Sequence, residues 1–120
     1  GEAVNDTTRD DLYVFEVFAE PGVVKIGRSL NATRRLIQIQ TCCPYELWLR
    51  AVIPGGGGLE PFLHELFARS RMRGEWFRLD DERLGRLDSF VSAANGSIYE
   101  RFSPFETDLD DFDVEIDVTT

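Results

Sequence analysis

The sequence predicts a small α+β domain, and three features carry that prediction. Two β-rich runs, Leu12–Phe18 and Val23–Ile26, flank a Glu20-Pro21-Gly22 reversal, as an antiparallel hairpin requires. Apolar residues recur at helical spacing in later segments, notably Leu59, Phe62, Leu63, Leu66 and Phe67. A third β-rich run, Leu47–Ile53, lies between the helical patterns. The 120 residues suffice for one compact domain and are few for two.

Taken in order, residues 1–11 read as a flexible acidic segment, 12–99 as the domain and 100–120 as an acidic tail. LYVFEVF at 12–18 is rich in aromatic and β-branched residues and reads as a buried strand. After the second strand, Gly27 is the expected hinge into a helix, because such a turn often needs positive φ or close backbone approach. Ser29 or Asn31 can cap that helix, with Ala32, Leu36, Ile39 and Cys43 facing inward and Cys43-Pro44 marking its end. Pro54–Gly58 reads as a flexible connection, without the Lys and Ser/Thr that would make it a phosphate loop. The helix that follows accepts Pro61 in its first turn, and Gly74 ends or follows it. Glu75–Leu79 suits a short strand or docking turn. Asp80 or Asp81 can cap a last helix with Leu84, Leu87, Val91 and Ala94 inward and Asn95-Gly96 as its stop.

The formal charge of −9 opposes phosphate binding only if it is evenly spread. It is not: 100–120 carries −7 and 1–11 carries −3, which leaves about +1 for 12–99. Within that span Lys25, Arg28, Arg34 and Arg35 form one basic patch and Arg69, Arg71, Arg73 and Arg78 a second, with Glu75 the one acid inside it. Glu60 and His64, four apart, fall on one helix side and can reach a common ligand, with Arg71 continuing the edge. One carboxylate with phosphate oxygens and waters suits Mg²⁺, whereas the pair is too little for a closed zinc site. Adjacent Cys42 and Cys43 make a disulfide unfavourable, and no apolar run is long enough to span a membrane, so an intracellular (cytoplasmic) protein is expected. The tail alternates acids with apolar residues, which suits a disordered segment, or a strand that docks on its own domain or on a protein partner.

Tyr13-Val14-Phe15, Lys25-Ile26-Gly27-Arg28-Ser29, Arg34-Arg35-Leu36, Gln40-Thr41, Pro44, Glu60 with Leu63-His64, Phe67 and Gly74-Glu75-Trp76-Phe77 occur in an order and spacing that resemble the T5orf172 (MUG113-like) branch of the GIY-YIG nuclease superfamily. The resemblance covers about Leu12 to Leu79. It implies a small three-stranded antiparallel sheet flanked by helices and a metal-dependent DNA endonuclease of a phage, mobile element or defence system, using Mg²⁺ or Mn²⁺. A catalytically inactive module binding nucleic acid or a protein is the other reading. Tyr13 or Phe15 stands where the family has its first-motif tyrosine and Lys25 where it has the second. Arg35 matches the arginine that steadies the scissile phosphate, Glu60 the metal carboxylate and His64 a histidine of this branch. Arg28, Arg34 and Arg71 are the expected substrate contacts.

Overall fold

Strong β-formers dominate both early runs, and the chain folds them into β1 (Asp11–Val17) and β2 (Val23–Ser29). The computed structural model describes residues 10–101. It continues with α1 (Ala32–Gln40), β3 (Leu47–Ile53), α2 (Glu60–Leu66), β4 (Arg71–Arg73), β5 (Trp76–Arg78), α3 (Asp81–Ala93) and β6 (Ser97–Ile98). All strand pairs are antiparallel, in the order β4-β5-β2-β1-β3-β6. The sheet thus has six strands where three were expected. Of the additional strands, β5 falls within Glu75–Leu79, where a short strand was one of the two readings, while β4 and β6 are only three and two residues long, too short for a period-two pattern to show. Nearly all of the acidic tail and of the N-terminal segment lies outside the described residues.

β1 is apolar on both faces because both are covered. Leu12 and Val14 join Val24, Ile26, Leu63, Phe67, Phe77, Leu87 and Val91 on the side of α2 and α3. Tyr13 and Phe15 join Ala32, Leu36 and Ile39 on the side of α1. The helices therefore sandwich the sheet.

Arg50 and Glu16 add a polar tie that periodicity does not reveal. A bulge between Val14 and Phe15 pairs these residues with Ala51 and Leu49 and so passes over Arg50. Arg50 reaches Glu16 Oε1 at 3.0 Å and Asp88 Oδ2 at 2.8 Å. Glu16, 1% exposed, also accepts the Gly22 N–H at 2.7 Å. The buried carboxylate is thereby paired and hydrogen-bonded.

Several boundaries differ from expectation for local physical reasons. Gly27 is no hinge; it lies inside β2, without positive φ, and Asn31 caps α1 by accepting the Arg34 N–H at 2.9 Å. α1 stops at Gln40, before Pro44, because the Gln40 amide organises the following loop. It accepts the Leu47 N–H at 2.8 Å and donates to Tyr45 O at 2.9 Å. The glycine connection is packed rather than loose: Gly57 donates to Asp10 O at 2.7 Å and begins a 3₁₀ turn. α2 is only seven residues long, so Leu63 and Phe67 are buried while Phe62 and Leu66 remain exposed. Gly74 makes the β4–β5 turn at φ +55° instead of ending that helix.

Candidate functional site

β2 leaves part of one edge open. β5 pairs with it from Val23 to Lys25, and the Ile26 N–H donates to Glu75 O at 3.0 Å. Beyond that point Gly27–Ser29 has no strand on this side among the described residues. Gly27 pairs with Tyr13 across β1. A Cβ at Gly27 would lie 2.4 Å from Tyr13 Oη and 2.9 Å from Glu75 Oε1. The missing side chain therefore leaves a notch in β2 that the Tyr13 phenol and the Glu75 carboxylate occupy.

Lys25 lies two residues back on the same face. Its Nζ is 5.5 Å from the Tyr13 ring centroid and forms an ion pair with Glu75 Oε1. Glu60, at the start of α2, approaches from the other side of the edge. Its carboxylate lies 3.6 Å from Arg28 Nε and 3.8 Å from His64 Nε2, with the Glu75 carboxyl group beside it.

The two carboxyl groups are driven apart electrostatically. Burial pushes Glu60 above its ordinary value, and the hydrogen bond and charge of Glu75 add to this against His64 and Arg28. Burial also pushes Glu75 upward, but the hydrogen bond and charge of Lys25, then the hydrogen bond from Glu60, outweigh it and hold the group below its ordinary value. Glu75 is thus the better-established carboxylate, and Glu60 the member that more readily keeps a proton.

Of the expected residues, Tyr13, Lys25, Arg28, Glu60 and His64 come together in this cluster. His64 Nε2 bonds Ile26 O at 2.8 Å; since a carbonyl only accepts, that nitrogen carries the hydrogen. The bond pins α2 to β2, and the ring packs on Phe77 with centroids 5.1 Å apart. Phe15 stacks on Tyr13 at 4.0 Å, and both rings are buried; it is the Tyr13 phenol, not Phe15, that lies at Gly27. Arg35 does not join Glu60 directly. It sits on the α1 side of the sheet and shares a cleft with Lys25, Arg73 and Trp76. Arg34 is exposed outside that cleft, and Arg71 lies over the Phe77 ring at 5.4 Å.

Glu75 was legible as the odd acid among four arginines and as part of the Gly74-Glu75-Trp76-Phe77 motif, but not as a site residue. Its partners Lys25 and Glu60 are distant in sequence, and the Gly74 turn is what brings it to them. Among the described residues, no group of three or more His, Cys, Asp and Glu side chains forms a metal cage. A hard dication does not require one, because one or two carboxylates plus phosphate oxygens and water suffice. Glu60 beside Glu75 fits that donor set, at a notch that a Cβ would fill.

Neither the comparison with curated proteins nor that with solved structures finds a match. A family match does exist: residues 12–94 match the T5orf172 domain. It runs past Leu79, where the recognised motifs stop, and takes in α3, whose Leu87 and Val91 complete the core beneath β1. The chain accordingly belongs to the T5orf172 domain family.

Proposed function

We propose that this domain is a GIY-YIG-type endonuclease that hydrolyses DNA phosphodiester bonds with Mg²⁺ or Mn²⁺. The observation that carries the reading is that Tyr13 and Glu75 meet at Gly27 while Lys25 and Glu60 both lie against Glu75, with Arg35 across the adjoining cleft. Phosphodiester hydrolysis needs an oriented water, cations facing the phosphate and charge neutralisation at the leaving oxygen. These side chains offer each around the open edge of β2, with Arg35 across the cleft.

Lys25, paired with the Glu75 carboxylate, is placed to face phosphate charge. Tyr13 Oη orients the attacking water at the notch. Arg35, exposed and able to grip two phosphate oxygens, steadies the scissile group. Glu60, with Glu75 beside it, would hold the metal, which when bound supplies positive charge to the phosphate and the leaving oxygen. Arg28 and His64 keep Glu60 in place.

Supercoiled plasmid supplies the test. With Mg²⁺ the full chain is expected to nick or linearise it, and Glu60→Ala to slow cleavage by at least about 100-fold with DNA binding retained. Equal cleavage by both proteins would overturn the proposal. Binding without cleavage by the unsubstituted chain would favour an inactive nucleic-acid module of the same fold.

A further inference from the structure

A cleft of about 730 Å³ opens between α1 and the β4–β5 hairpin. Val23 and Ile39 contribute apolar lining, Trp76 and Tyr45 contribute rings, and Lys25, Arg35 and Arg73 contribute cations; no acid lines it. Arg35 and Arg73 have no ion pair among the described residues. Tyr45 is 63% exposed, an aromatic ring left largely in water.

We infer that this cleft binds an unpaired nucleobase adjoining the phosphate at Gly27, so that the domain prefers single-stranded or locally unpaired DNA to intact duplex. The inference rests on the proposed passage of a nucleic-acid strand across the notch. Arg35 and Arg73, without an ion pair among the described residues and set beside an apolar, aromatic slot, suit a ligand that joins an anion to a flat ring, and a nucleotide is such a ligand. Lys25 lines the cleft and also belongs to the notch cluster, so a phosphate there sits beside the slot. Bases inside a duplex are stacked on one another and cannot enter; a splayed base can.

The test uses the full chain in metal-free buffer with EDTA, which prevents cleavage. The probes are a short single-stranded DNA carrying 2-aminopurine and the same sequence as a blunt duplex, at equal salt. The single strand is expected to bind at least about fivefold tighter, with its fluorescence quenched by stacking. Tyr45→Ala, exposed enough to leave folding intact, is expected to remove at least about fivefold in single-strand affinity and less than about twofold for the duplex. Equal affinity for the two DNAs, or a Tyr45→Ala effect that is absent or the same on both, would overturn the inference. So would Tyr45-dependent binding of a synthetic 102–120 peptide without a single-strand preference, since the occupant is then an acidic peptide. Glu60-dependent cleavage without strand preference sinks this inference alone, and strand preference without cleavage sinks the nuclease reading alone.

Discussion

Gly27 shows how much a single residue determines here. It is a glycine for its lack of volume: a Cβ would meet Tyr13 Oη at 2.4 Å and Tyr13 Cζ at 2.6 Å, and Tyr13 is only 1% exposed, so the ring has little room to retreat. Gly27→Ala is therefore expected to lower stability by about 1–3 kcal/mol in urea denaturation and to abolish cleavage. Gly85, in α3 with nothing within 4 Å of its Cβ position, provides the contrast. Gly85→Ala is expected to be neutral or to stabilise by up to about 1 kcal/mol. Unchanged stability and cleavage in Gly27→Ala would show that the notch is not tight. The sequence already marked Gly27 for close approach, but as a hinge and toward backbone; the structure puts it within a strand and against a side chain.

At the scale of elements, legibility follows burial. β1 and β3 could be read because their apolar runs are long and covered, whereas β4 and β6 contain only exposed residues and left no pattern. The capping of α1 by Asn31 and of α3 by Asp80 was readable for a local reason, since each side chain accepts an N–H three residues ahead. The Glu16–Arg50–Asp88 tie was not readable, because the bulge that frees Arg50 involves two distant strands. Arg50→Ala strands a buried carboxylate and separates β3 from α3. It is expected to cost about 3–5 kcal/mol in urea denaturation, more than its surface counterpart Arg78→Ala, whose Glu20 partner is exposed. A loss as small as that of Arg78→Ala would mean that water reaches Glu16.

Across the whole molecule, the candidate site depends on both faces of the sheet. Tyr13 and Lys25 lie on the α1 side, whereas Glu60 and His64 rise from α2 on the other; Glu75 joins Lys25 to Glu60 where β2 runs out of partner strand, and Arg35 stays on the α1 side across the cleft. The resemblance to known motifs could supply candidate residues but not that edge, and the bridging of the two sides by Glu75, until then one residue of a motif, emerges from the fold. The most direct measurement of joint action is a double-mutant cycle on Mg²⁺-dependent plasmid cleavage with Tyr13→Phe, Glu60→Ala and the double variant. If one phosphate is served by both groups, the double variant cleaves about as slowly as Glu60→Ala alone. A wild-type rate in either single variant, or losses that simply multiply in the double, would contradict a shared site.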